Sequence, residues 1–126
     1  MTIFIIILAI LFIHWFADFV IQSDDDAKGK STSVKHLLSH TFDYSLVWYL
    51  VSLIVVTFGI LPAVFLWFAP ITFVVHTMTD YCTSKLNSYL WAKGDVHNFF
   101  VSVGFDQFLH YVQLFGTFFI LFYQCI

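Results

Sequence analysis

TIFIIILAILFIHWFADFV, residues 2–20, is a run in which His14 and Asp18 are the only strongly polar side chains. As a helix it is long enough to cross a hydrocarbon core of about 30 Å. It has no basic leading segment and no small-residue cleavage site, so it reads as a crossing rather than a removable signal peptide. His14 and Asp18 stand four residues apart, which puts them on one helix face, one above the other.

The same spacing recurs in His36–His40, His76–Asp80 and Asp106–His110, each inside or at the edge of an otherwise apolar stretch. Ionisable groups are expensive in a membrane helix, so each pair marks a candidate functional site. Composition strengthens the membrane reading. The chain has 126 residues, of which 60 % are hydrophobic and 10 % charged, with 17 Phe, 6 Tyr and 4 Trp. A soluble domain of this length lacks the interior to hide that surface. The net charge of −3 and the absence of a basic stripe argue against nucleic-acid binding. Cys82 and Cys125 fall toward opposite membrane faces and suggest incidental thiols, not a disulfide framework.

Four helices are expected, over about residues 2–21, 34–59, 61–91 and 97–125, in a single transmembrane domain spanning 1–126. The hydrophilic stretch from Gln22 to Ser33 reads as a loop, with Ser31, Thr32 or Ser33 as a cap for the next helix. Gly59 and Pro62 mark a turn, and Pro70 is a candidate kink. The fold class is therefore all-α, an integral membrane four-helix bundle. All five lysines lie on or near the side that holds the 24–33 and 91–97 loops. The positive-inside tendency turns that side to the cytoplasm and both termini outward, a multi-pass protein of the cytoplasmic (inner) membrane.

This topology puts the four pairs at one depth. At about 1.5 Å per residue, Asp18 and His14 lie on the order of 5 and 11 Å from the cytoplasmic end of their helix. The other pairs lie within roughly 10–20 Å of the same side. Imidazole and carboxylate are ligands suited to zinc first, with iron or manganese as alternatives. The candidate metal ligands are His14, Asp18, His40, His76, Asp80, Asp106 and His110, with His36 and Asp43 as second choices. One of Asp18, Asp80 and Asp106 is the candidate general base. Gln22, Gln107 and Lys85 are candidates for a supporting or substrate-contacting role. Lys28, Lys30 and Lys35 are ordinary topology determinants or attract anionic groups.

The run His14-Trp-Phe-Ala-Asp18-Phe-Val-Ile-Gln22, followed by Lys28, Lys30 and His40, resembles the opening signature of the domain-of-unknown-function 3307 family, small polytopic membrane proteins of bacteria and phages. His76-Thr-Met-Thr-Asp80 with Lys85, and Asp106-Gln107-Phe-Leu-His110, resemble its later motifs. The resemblance covers nearly the whole chain. It implies a membrane location and a metal-like site, without a reaction. More distantly, the arrangement is similar to membrane-bound metal-dependent hydrolases.

The leading expectation is a metal-dependent hydrolase working on a membrane-associated, lipid-like or phosphorylated substrate. A second is a non-enzymatic membrane protein, phage-encoded, that binds a host membrane protein and whose polar pairs hold the helices together. A third is a small proton or metal carrier. The sequence leaves the oligomeric state open.

Overall fold

The structure, a computed structural model, describes residues 2–124 and is helical throughout, with no strand among them. Five α-helices follow one another: α1 (Thr2–Trp15), α2 (Asp24–Gly29), α3 (Val34–Thr57), α4 (Phe68–Ala92) and α5 (Val96–Tyr123). A π-helical turn, Phe16–Val20, extends α1, and a 3-10 turn, Ala63–Trp67, leads into α4. Cys125 lies outside the described residues, and Cys82 is an exposed free thiol.

Local chemistry explains where the helices stop. Gly59 (φ 67°) ends α3, with its N–H donating to Val56 O and the Ile60 N–H to Val55 O. Gly94 (φ 71°) repeats the arrangement after α4, with bonds from Gly94 N to Trp91 O and from Asp95 N to Leu90 O. In both, a left-handed residue that only glycine adopts cheaply closes a Schellman cap. Asp95 then caps α5, its carboxylate accepting from the Asn98 N–H at 3.2 Å.

Pro70, the candidate kink, falls in the first turn of α4, directly after the 3-10 turn. One local expectation gives way. The hydrophilic stretch is not all loop, because Asp24–Gly29 forms α2 with Ser23 as its N-cap. Ser23 Oγ accepts from the Asp26 N–H at 3.1 Å and donates to the Asp26 carboxylate at 2.9 Å. Ser33 occupies the cap position of α3 without a side-chain bond.

α2 is strapped onto the start of α3. The carboxylate of Asp26 lies 2.8 Å from Nδ1 of His36. That hydrogen bond, with the one from Ser23, outweighs the cost of burial and holds the Asp26 carboxyl below its ordinary value. Gly29 lies under the same imidazole, where an added Cβ would stand 2.6 Å from His36 Cδ2. Gly29→Ala is therefore expected to lift α2 from α3 at a cost of about 1–3 kcal/mol, read as faster amide exchange in residues 24–30.

α4 packs against both α3 and α5, α1 lies on α5, and the π-helical turn reaches α3. The apolar core gathers toward the Gly59 end, around Trp48, Phe65, Phe68, Leu114 and Phe118. Three segments are long and apolar enough to cross a membrane: Ile3–Val20, Val34–Thr57 and Ala63–Ala92. Within an apolar 18-residue stretch of each, 22 %, 33 % and 33 % of the residues are buried, so most of their apolar surface faces outward. α5 is 28 residues long, but Asp106, Gln107, His110 and Gln113 dilute its hydropathy.

Candidate metal centre

Five buried side chains from four elements meet at one point. Asp18 comes from the π-helical turn, His40 from α3, His76 and Asp80 from α4, and His110 from α5. His40 Nε2 lies 3.1 Å from Asp18 Oδ1, 3.3 Å from His76 Nε2 and 3.4 Å from Asp80 Oδ2. His76 Nε2 lies 3.5 Å from Asp18 Oδ1 and 3.7 Å from Asp80 Oδ1. His110 Nε2 approaches Asp80 Oδ1 to 3.1 Å.

Two overlapping groups, Asp18–His40–His76 and His76–Asp80–His110, could hold a metal ion. Donors held tetrahedrally at about 2.0–2.2 Å from one ion stand about 3.3–3.6 Å apart. Within the Asp18–His40–His76 group the donor separations are 3.1, 3.3 and 3.5 Å, close to those edges, and the two oxygens of Asp80 approach His40 and His76 at 3.4 and 3.7 Å. Two imidazole Nε2 atoms facing each other at 3.3 Å need opposite protonation to hydrogen-bond. A shared cation takes both lone pairs instead. The donor set thus fits a divalent ion, with two carboxylates to balance its charge. Nδ1 of His40, His76 and His110 has no hydrogen-bond partner among the described residues, so each histidine directs its interactions through Nε2.

His14 belongs to the layer behind this set. Both N–H groups of the Gln107 amide are committed, to Asp18 Oδ2 at 3.2 Å and to Asp106 Oδ2 at 3.1 Å. Gln107 Oε1 therefore faces His14 Nε2 at 2.8 Å and requires a proton there. His14 Nδ1 is left to accept from the Tyr44 hydroxyl at 2.8 Å. With both nitrogens engaged by Gln107 and Tyr44, His14 stands behind the converging donors rather than among them. The π-helical turn contributes to this result, since it winds the chain more loosely between His14 and Asp18 than an α-helix would. His14 Nε2 and Asp18 Oδ2 remain 3.9 Å apart.

Asp106 is likewise tied. Its Oδ1 accepts from Thr83 at 2.5 Å and lies 3.4 Å from His110 Nε2, so it orients His110. His36 turns away to Asp26, and Asp43 is exposed. Lys85 lies outside, its ammonium 3.4 Å from the centroid of the Tyr81 ring. Gln22 is half-buried, and its Nε2 has no partner among the described residues. Of the expected residues, Asp18, His40, His76, Asp80 and His110 converge, Asp106, Gln107 and His14 surround them, and Gln22, His36, Asp43 and Lys85 do not join.

Sequence reasoning passed over two participants. Lys30 donates to Asp80 Oδ2 at 2.8 Å from just beyond α2. Burial disfavours its charge, but Asp80, with Asp18 and Asp106 behind it, outweighs that and raises the lysine above its ordinary value. Tyr44 stacks on His76, their centroids 3.9 Å apart and planes 12° from parallel, and His76 stacks on His110 at 4.2 Å. Tyr44 stands four residues after His40 and so continues the stripe begun at His36, a signal available in the sequence. Lys30 was legible as a lysine that attracts anionic groups, but not as the partner of Asp80, fifty positions away.

No curated protein and no solved structure matches the chain. The profile of the protein family of unknown function DUF3307 matches residues 6–125. That span takes in all the residues of the centre, and the chain belongs to the DUF3307 family.

Proposed function

We propose that this protein is a four-crossing membrane bundle whose buried centre holds a divalent metal, zinc first, and hydrolyses a membrane-associated substrate. The observation that carries the reading is the mutual approach of Asp18 Oδ1, His40 Nε2 and His76 Nε2 at 3.1–3.5 Å, three donors of the type and spacing one ion requires, with Asp80 beside them. α5 would make the fourth crossing, since 28 residues at about 1.5 Å each exceed a hydrocarbon core. Lysines crowded at the end nearer the centre favour a cytoplasmic orientation for that end.

When bound, the ion supplies Lewis acidity for hydrolysis. The protein's own groups do the rest. Asp18 and Asp80 offset the charge, and Gln107 fixes the Asp18 carboxylate through a bond to Oδ2. His110, oriented by Asp106, holds a proton at Nε2 beside Asp80. The carrier reading is less favoured, because Trp48, Phe65, Phe68 and Phe118 fill the opposite half with no ionisable lining.

Metal analysis of detergent-purified full-length protein tests the proposal. About one ion per chain is expected, released by a chelator and weakened by acid, because imidazole ligands must be deprotonated. A chain that carries no metal after incubation with zinc, iron or manganese would leave the centre structural, as expected for a non-enzymatic membrane-interaction protein.

A further inference from the structure

A cavity of about 600 Å³ lies beside the centre, between the α2–α3 connection and the facing parts of α4 and α5. Lys30 belongs to both places, since it lines the cavity and also donates to Asp80. One ammonium N–H goes to Asp80, leaving two further donors. Ser84, one turn after Asp80 on α4, lines the same cavity and is 6 % exposed. Its Oγ has no partner among the described residues, and neither does the buried Oδ1 of Asn87 beside it. Unpaired buried polar atoms are costly, and a ligand supplies what the protein does not.

The chemistry of that ligand follows from the groups left open. Lys30 and Ser84 ask for acceptor oxygens, whereas Asn87 Oδ1 asks for a hydrogen-bond donor. Lys28 adds positive charge at the rim. Its contact with Asp24 is 4.0 Å long between highly exposed side chains and so leaves it available. Trp91 and Phe100, both more than half exposed, form an apolar wall of the same cavity. A phosphomonoester carries anionic acceptors and a P–OH donor in one group, and an attached apolar chain would lie along Trp91 and Phe100.

We propose that this cavity binds a phosphate monoester, with Lys28, Lys30, Ser84 and Asn87 as the headgroup site. The inference deepens the hydrolase reading, on which it rests for the role of that phosphate as substrate. Binding itself stands independently of the metal.

Tryptophan emission of the detergent-purified full chain, with Trp91 in the cavity wall, provides the readout. Dihexanoyl phosphatidic acid, inorganic phosphate and dihexanoyl glycerol are the probes. Phosphatidic acid is expected to bind, with affinity falling about tenfold or more in Ser84→Ala, Asn87→Leu and Lys28→Glu. Ser88→Trp, at an exposed position on the cavity lining, blocks the space without touching a buried group. Metal content, measured alongside, is expected to stay unchanged in all four variants. Equal binding of inorganic phosphate assigns the site to the anion alone. Tighter binding of the lipid adds the apolar wall. Both results support the site, as does phosphate binding to a chain that holds no metal, which would sink the metal reading only. The proposal is overturned if neither phosphate probe binds, if dihexanoyl glycerol binds equally well, or if the variants and Ser88→Trp bind like the wild type.

Discussion

Asp80→Asn is expected to abolish stoichiometric metal binding and to destabilise the protein by about 3–5 kcal/mol. Asp80 is 1 % exposed and lies within 3.7 Å of Nε2 of His40, His76 and His110, besides accepting from Lys30 at 2.8 Å. The amide keeps the shape but loses the charge, and one of its ends donates rather than accepts. Lys30 is then left largely buried with no carboxylate at hydrogen-bond distance, and breaking such a pair costs more than removing it whole. A double variant, Asp80→Asn with Lys30→Met, separates the two effects. Thermal stability should recover most of the loss, whereas metal content should stay at zero. Recovery of both would mean that Asp80 is a salt-bridge partner and not a ligand.

His76→Phe should lose the ion with little change in melting temperature, whereas His14→Phe should keep a weakened site. His76 is common to both candidate ligand groups, so its removal breaks either. A phenyl ring preserves the stack between Tyr44 and His110, and replacing a buried polar group by an apolar one of similar shape is close to neutral. His14 acts through Gln107 on Asp18. Loss of such an outer partner typically costs about 10–100-fold in metal affinity. Titration of both variants against zinc gives the comparison. Equal losses would put His14 back among the ligands.

Spacing of four residues found most of the centre, because an α-helix turns such a pair to one face. The spacing brings both members of His76–Asp80 together on α4, and on α5 it brings in His110 with Asp106 behind it. It misled for His36–His40, where His36 sits in the first turn of α3 and α2 packs beside it. For His14–Asp18 the outcome matches Asp106–His110, one converging donor and one residue behind it, here with a π-helical turn between the two. Nothing in the local pattern of FADFV announces that turn. The pairing of Lys30 with Asp80 and the helix α2 were also hidden. A six-residue helix owes its existence to Ser23, Asp26 and the imidazole of His36 rather than to a periodic apolar face.

The separation of the two interiors has a consequence of its own. Ile10, Trp48, Phe65, Phe68, Leu114 and Phe118 pack at the Gly59 end, and the histidines and aspartates meet nearer the lysines. Most of the cohesion and the polar cluster therefore reside in different residues of the same helices, and Tyr44, packed in the apolar core and stacked on His76, joins the two. A change at the far apolar end, at Phe65 or Phe118, leaves the donor atoms untouched, whereas a change at Tyr44 is felt by both His76 and His14. A chain of 126 residues thus offers two sets of positions for change, coupled through Tyr44, one weighted to durability and the other to the buried cluster of histidines and aspartates.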